Sequence, residues 1–148
     1  MEFKIDIKHT VRFLSDNSFN LGGSSINPKI PALQGVYILH HGSIQHAWGE
    51  PGRIFYIGAS DREKLNVRAR KHRDVLIKTL NSRGKRKMQG APKMLQYGVS
   101  IDHDLSDTSF SCYPLPIGSP SYLPFLLEGF ILDSYIKNFG KKPAVTGR

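Results

Sequence analysis

The chain has few cysteines, no long apolar runs and few acidic residues, and each shortage excludes a class of protein. Its 148 residues include one cysteine, Cys112, so an internal disulfide is excluded and a cysteine-based zinc ribbon is disfavoured. No apolar run approaches the roughly 18 residues of a membrane span. Charges interrupt the opening stretch MEFKIDIKHT, which therefore does not have the pattern of a signal peptide. We expect a cytoplasmic protein that does not bind membranes.

The shortage of acidic residues is confined to one segment. The chain holds 21 Lys and Arg against 12 Asp and Glu, a formal net charge of +9. Residues 62–87 contain 11 of the basic residues but only two acids, Glu63 and Asp74, and the remaining residues are balanced at 10 of each sign. Such concentration is typical of a surface that binds a polyanion. A solvated helix whose lysines aid solubility is the alternative interpretation.

Periodicity and turn residues predict an α/β fold of the α+β type, with a small three-stranded central sheet, mixed or antiparallel, flanked by helices. Residues 1–14 alternate as a strand, and residues 15–31 have the composition of a loop. Further strands are predicted at 35–41, 53–59 and 108–115, with a loop at 42–52. Helices are predicted from about 61 to 83 and within 119–140. An N-terminal extension, 1–34, would thus precede a core domain, 35–148.

Two predicted strands carry a tyrosine at matching places. Because side chains alternate along a strand, Tyr37 of GVYILHH and Tyr56 of IFYIG can project from the same face of the sheet. Gly58 would leave an open place beside Tyr56.

The first predicted helix begins at a capping box formed by Ser60 and Glu63. Arg68 lies about 60° from Leu65, at the edge of the apolar stripe, whereas Arg70 points about 140° away from it. The residues of that stripe are Leu65, Ala69, His72, Leu76 and Leu80.

These elements together resemble the GIY-YIG nucleases. GVY at 35–37 is similar to the first triplet of that family, and YIG at 56–58 matches the second. RARKH at 68–72 resembles the family's Arg-x-x-x-His helix motif, and LLEGFILDSYI at 126–136 resembles its metal-binding glutamate helix. The resemblance covers roughly residues 35–146 in the family's order. Thr146 stands where the family often has an asparagine, and the Tyr56-to-Arg68 spacing is slightly longer than is typical of the family.

The resemblance implies metal-dependent hydrolysis of phosphodiester bonds in DNA. Glu128 would hold one divalent cation, Mg²⁺ or Mn²⁺, and Arg68 would stabilise the charge that develops on phosphorus. Tyr37 is the candidate general base or water-orienting residue, with Tyr56 as positioner or alternative. His72 would share the proton transfer or orient a phosphate. An ordinary tyrosine has a pKa near 10, so we expect a nearby arginine or lysine to lower the pKa of Tyr37.

The basic segment supplies the candidate contacts to the nucleic acid, which are Arg70, Arg73, Lys85, Arg86 and Lys87. DNA is the expected partner, and RNA is not excluded because phosphate contacts carry no sugar identity. One active site cuts a duplex only in two successive events, so a homodimer is one arrangement that would cut both strands.

Other interpretations stay open. A non-catalytic nucleic-acid-binding module with the same fold is the rival function, although the complete set of tyrosines, arginine and glutamate favours an enzyme. His72 lies on an apolar stripe and can equally be a core histidine. A metal cluster of His40, His41 and His46 is disfavoured, because adjacent strand residues face opposite sides. Cys112 is expected to be a small core residue.

Overall fold

The computed structural model describes residues 7–23, 25–81 and 105–143, and in these ranges the chain forms helices on both faces of one antiparallel sheet. The strands are β1 (Ser18–Asn20), β2 (Gly35–His41), β3 (Ile54–Ser60) and β4 (Thr108–Pro114). The helices are α1 (Ile7–Asp16), α2 (Ile44–Gly49), α3 (Leu65–Asn81) and α4 (Leu123–Phe139), with a 3₁₀ turn at Leu105–Asp107. No helix in these ranges is long and apolar enough to cross a membrane.

The sheet has four strands in the order β1-β4-β2-β3, so the prediction of three was wrong. Strands β2, β3 and β4 confirm the predicted segments to within one residue at each end. The additional strand, β1, pairs Phe19 with Phe110 in β4. It has only three residues, which is too short for alternation to indicate a strand.

The N-terminal segment folds differently from the strand predicted there. Residues 7–16 form α1, and the alternation that suggested a strand ends at Ile7. From that residue onward Ile7, Val11 and Leu14 have helical spacing, and Leu14 is buried against the sheet. Residues before Ile7 lie outside the described ranges.

The predicted loop at 42–52 contains a short helix, α2. The Ser43 side chain caps this helix by accepting a hydrogen bond from the backbone N–H of His46. Six helical residues, the last of them a glycine, are too few to give a periodic signal.

Helix α3 begins at Leu65 rather than near residue 61, because the predicted capping box does not form. The Ser60 hydroxyl donates to the carbonyl of Glu63, and the Glu63 carboxylate pairs with Lys71 at 2.6 Å. The first N–H groups of the helix donate instead to carbonyls of the loop before β2. The N–H of Leu65, for example, donates to the carbonyl of Leu33 at 2.8 Å. A distant loop therefore replaces the local cap.

Helix α4 follows the prediction at both ends. Pro124 lies in its first turn, and Gly140 ends it in the left-handed conformation, at φ 76°. The helix buries a stripe formed by Pro124, Leu127, Glu128, Ile131 and Tyr135.

The sheet separates two apolar clusters. On one face Tyr37, Leu39 and Phe110 pack against α3 through Leu65, Ala69 and Leu76. On the other face Val36, Ile38 and Ile57 pack against α4, with α1 and α2 beside it. Cys112 is a core residue of the first cluster, as predicted, and burial raises the pKa of its thiol to about 12.

Candidate functional site

Two tyrosines stack on the sheet face that α3 covers. Tyr37 lies opposite Gly58, and Leu39 lies opposite Tyr56, so the two phenols project from one face as predicted. Their ring centroids are 5.8 Å apart with an angle of 13° between the ring planes. Tyr37 is fully buried, whereas Tyr56 is half-buried.

Gly58 makes room for this pair. A Cβ at this position would lie 2.6 Å from Oη of Tyr37 and 2.6 Å from Cε1 of Tyr56. The glycine therefore allows the phenol of Tyr37 to lie across β3, which is the physical reason for a glycine in this strand.

Helix α3 brings an arginine and a histidine to the buried phenol. Arg68 Nη2 donates to Oη of Tyr37 at 3.0 Å, and the same oxygen lies 2.7 Å from Nε2 of His72. His72 is buried on the apolar stripe, Arg68 is half-buried at its edge, and Arg70 is exposed. The predicted helix register is confirmed at these positions.

Burial decides the protonation of His72 and of Tyr37. Burial, followed by the charge of Arg68, lowers the pKa of His72 to about 3, so its ring is neutral at pH 7. Burial, reinforced by the neighbouring Tyr56, holds the pKa of Tyr37 above its ordinary value of 10.0. Arg68 acts in the opposite direction but is outweighed, so the expectation of a lowered pKa for Tyr37 is wrong.

These protonation states allow the Tyr37 phenol to act as the donor in its short contact with His72. The phenol oxygen accepts from Arg68, and when the neutral imidazole carries its proton on Nδ1 the phenol donates to Nε2. Tyr37 thus connects a permanent cation to a neutral base.

The guanidinium of Arg68 retains donors for a ligand. Its Nε is buried and has no hydrogen-bond partner among the described residues. Its Nη1 is 3.8 Å from Oε1 of Glu63, whose other carboxylate oxygen pairs with Lys71. An unsatisfied buried donor on a cation favours an anionic ligand that would complete its hydrogen bonds.

Arg68, which is half-buried, lines a cleft at the end of the edge strand β3. The cleft has a volume of about 540 Å³ and is lined by Ala59, Ser60, Asp61, Arg62, Glu63, Arg68 and Phe125. Phe125 belongs to α4, whereas Arg68 belongs to α3. The layers on the two sheet faces therefore both contribute to this cleft.

Glu128 lies one helical turn after Phe125. It is 6 % exposed and belongs to the stripe of α4 that faces the sheet. Residues three apart on a helix are neighbours, so Glu128 lies close to Phe125 on α4 without itself lining the cleft. The described residues contain no group of three or more His, Cys, Asp or Glu that could hold a metal. Mg²⁺ can be held by one or two carboxylates with waters, and the Glu128 carboxylate is a ligand of that type.

Among the predicted nucleic-acid contacts, Arg70 is exposed, whereas Arg73 has a different environment. Arg73 is buried, and its guanidinium donates to the carbonyls of Leu21 at 3.0 Å and Gly23 at 2.6 Å. It thus secures the turn after β1 and is not available to a phosphate. Three further predicted contacts, Lys85, Arg86 and Lys87, lie outside the described ranges, as does Thr146.

Sequence reasoning missed two contributors to the site. Phe110 stacks on Tyr37 with ring centroids 5.0 Å apart, and Phe125 lines the cleft. Phe125 could have been found from its place three residues before Glu128. Phe110 required knowledge of the pairing between β2 and β4.

The two adjacent histidines of β2 face opposite sides of the sheet, as predicted. His40 and His41 are both buried, with His40 beside Ser111 on one face and His41 against Phe55 on the other. His46 is exposed and contacts Glu50 at 2.5 Å.

No family model, no curated protein and no solved structure matches this chain. The chemistry open to the site therefore follows from its own groups. These are a cation with a buried donor that has no partner among the described residues, a phenol in contact with a neutral imidazole, and a buried carboxylate on the helix that contributes Phe125 to the cleft.

Proposed function

We propose that the protein is a GIY-YIG-type endonuclease that hydrolyses DNA phosphodiester bonds with a divalent cation. The observation that carries the proposal is the Tyr37 phenol, which accepts from Arg68 and contacts His72. Both α3 residues of the motif named from the sequence thus reach the same oxygen.

The first task of hydrolysis is to deprotonate water. A free Tyr37 phenolate is a poor candidate for the base, because burial raises the pKa of the phenol. In the proposed step the phenol oxygen takes the proton of the attacking water while its own proton passes to Nε2 of His72. The relay leaves Tyr37 neutral and His72 as an imidazolium, and a neighbouring phosphate favours this charged form.

The second task is to stabilise charge on the phosphate. Arg68 carries a permanent charge and has an unpartnered Nε among the described residues. A guanidinium can fork onto two phosphate oxygens, and it is already held in place by Tyr37. Tyr56, stacked on Tyr37 and half-buried, would limit where the water can approach.

In this proposal Glu128 is the protein ligand of the divalent cation. Bound Mg²⁺ or Mn²⁺ would supply positive charge to the phosphate and the leaving oxygen. The carboxylate is buried on α4, one helical turn after Phe125 of the cleft, and would hold the ion there. Substrate oxygens and waters would supply the remaining ligands.

The nucleic acid is proposed to bind to the exposed face of α3 and to the basic residues that follow this helix in the sequence, Lys85, Arg86 and Lys87. Arg70 lies on that face, away from the phenols. A phosphate contact there adds affinity without reading sequence. DNA is the proposed substrate, and cleavage of an RNA of matched sequence is the comparison that distinguishes the two nucleic acids.

The experiment is nicking of supercoiled plasmid with Mg²⁺ and with EDTA, with binding measured separately. The variant is Glu128→Gln, and the control is Asp133→Asn, an exposed carboxylate of the same helix that pairs with Lys137 at 2.9 Å. Wild type and Asp133→Asn are expected to nick only with Mg²⁺, and Glu128→Gln to bind without nicking. Binding without nicking by the wild type would instead identify a non-catalytic module.

A further inference from the structure

The exposed face of α4 is apolar at the start of the helix and polar further along it. Tyr122, Phe125 and Leu126 are 64 %, 39 % and 55 % exposed, and spacings of three and four residues make them neighbours on one face. We call these three side chains the apolar surface of α4. Further along, the same face carries Asp133 and Lys137, which form an ion pair at 2.9 Å. The apolar part of this face is therefore confined to the start of the helix.

Phe125 connects the apolar surface of α4 to the cleft of Arg68. It is part of the cleft lining, together with Arg62 and Arg68. Tyr122 immediately precedes α4 and has helical backbone angles, φ −79° and ψ −16°, so it lies one turn from Phe125. A ligand held in the cleft can thus extend across Phe125 to the ring of Tyr122.

The charges of the cleft favour a phosphate. Its cations are Arg62, which is exposed, and Arg68, which is half-buried. Its acids are Asp61 and Glu63, and the Glu63 carboxylate is paired with Lys71 at 2.6 Å. With Lys71, three cations stand against two carboxylates. A phosphate joined to a flat apolar group would occupy both the cleft and the apolar surface of α4, and a nucleotide has this structure.

A second copy of the chain is the other occupant that an exposed apolar surface suggests. A stable protein interface takes about 20–30 residues from each partner. The apolar surface of α4 consists of three residues and gives way to an ion pair on the same face. It is large enough for a nucleobase and too small for such an interface.

We infer that the ring of Tyr122 stacks on an unpaired base of the DNA whose phosphate lies in the cleft. This inference rests on the proposed nuclease function and specifies its substrate as DNA with an unpaired base beside the scissile phosphate. In an intact duplex, neighbouring bases cover both faces of each internal base. An aromatic side chain therefore reaches a base face only where a base is unpaired or flipped out, or where a strand ends.

The test is the binding of three labelled DNA duplexes to the full chain in EDTA, measured by anisotropy, so that cleavage is not required. The first duplex contains one unpaired adenine, the second has an abasic residue at that place, and the third is fully paired. The wild type is expected to bind the adenine duplex about tenfold more tightly than either of the others, because only that duplex offers an open base face.

Substitutions of Tyr122 separate stacking from other contacts. Tyr122 is exposed and its side chain makes no capping hydrogen bond, so its variants should fold. Tyr122→Ala should bind the adenine duplex about tenfold more weakly and the abasic duplex within about twofold of the wild type, whereas Tyr122→Phe retains the ring and should bind like the wild type. Ile117→Ala is the control, because Ile117 is 92 % exposed but does not line the cleft, and its affinities should stay within about twofold of the wild type.

Three results would overturn the inference. One is equal affinity of the wild type for the three duplexes, and another is an equal loss of affinity for the adenine and abasic duplexes in Tyr122→Ala. The third is a wild-type dimer in sedimentation that Tyr122→Ala converts to a monomer, which would identify a second copy as the occupant. Plasmid nicking with equal affinities would retain the nuclease and reject stacking, whereas base-dependent binding without nicking would retain stacking and reject the nuclease.

Discussion

Replacing Gly58 with alanine would place a methyl group inside the tyrosine pair. The new Cβ would lie 2.6 Å from Oη of Tyr37, well inside the roughly 3.5–4.0 Å of favourable contact. Tyr37 has no exposed surface and is stacked on Phe110, so its ring cannot move aside without disturbing the core. Overpacking of this kind costs about 1–3 kcal/mol of unfolding free energy.

In the proposed nuclease the same substitution should also slow DNA cleavage. The phenol would leave its contacts of 3.0 Å with Arg68 and 2.7 Å with His72. A displacement of about 1 Å in a catalytic group can reduce the rate by about 100-fold. Urea unfolding and single-turnover DNA cleavage measure the two effects separately.

The matched control is Gly129→Ala in α4. A Cβ at Gly129 would meet no atom within 4 Å, and alanine in a helix interior is favoured over glycine by about 1 kcal/mol. This variant should therefore be as active as the wild type and slightly more stable. A Gly58→Ala protein with the stability and cleavage rate of the wild type would refute the packing argument.

Three further predictions concern buried polar groups. Tyr37→Phe keeps the ring but removes the hydroxyl that joins Arg68 to His72, so single-turnover cleavage should fall at least about 100-fold, and an unchanged rate would exclude the relay. Arg73→Met should lower the unfolding free energy in urea by about 2–3 kcal/mol, since two carbonyls lose their donor, while DNA affinity measured by anisotropy should stay within about twofold because the side chain is buried. Burial lowers the pKa of His72 to about 3 and that of His40 to about 4, from 6.5. The unfolded chain then binds more protons below pH 6.5, so stability should fall as pH falls from 6.5 towards 4, by up to about 1.4 kcal/mol per pH unit for each histidine. Urea unfolding between pH 7 and 4 measures this, and a flat profile would contradict neutral buried rings.

The strands that carry the site could be predicted because their local signals agree. Residues 35–41 and 54–60 are apolar runs bounded by glycine, proline or helix-capping residues, and alternation then fixes which side chains share a face. The helical register likewise separated Arg68 from Arg70. These inferences need only the residues of one element.

The errors arose where a distant segment decides the structure. The start of α3 is set by the carbonyl of Leu33, which no pattern within 60–65 reveals. Arg73 lies about 80° from Leu65 on the helix, and its burial depends on the carbonyls of Leu21 and Gly23. A residue's charge and helical position predict neither contact.

The pKa of Tyr37 is a further case of this kind. A neighbouring arginine was expected to lower it, and Arg68 does lie at 3.0 Å. Complete burial and the adjacent Tyr56 raise the pKa by more than Arg68 lowers it. Desolvation depends on the whole core around the ring and cannot be obtained from a pairwise motif.

The most direct test of the nuclease proposal compares Arg68→Ala with Arg70→Ala in single-turnover cleavage of one defined DNA duplex with Mg²⁺. These arginines are two residues apart on α3, but only Arg68 contacts the phenol. Arg68→Ala is expected to reduce the rate by about 100-fold to 1,000-fold at saturating protein, whereas Arg70→Ala should cleave at the wild-type rate and only bind more weakly, with its salt slope reduced by about one. Cleavage by Arg68→Ala at the wild-type rate, or no Mg²⁺-dependent cleavage by the wild type, would contradict the proposed active site.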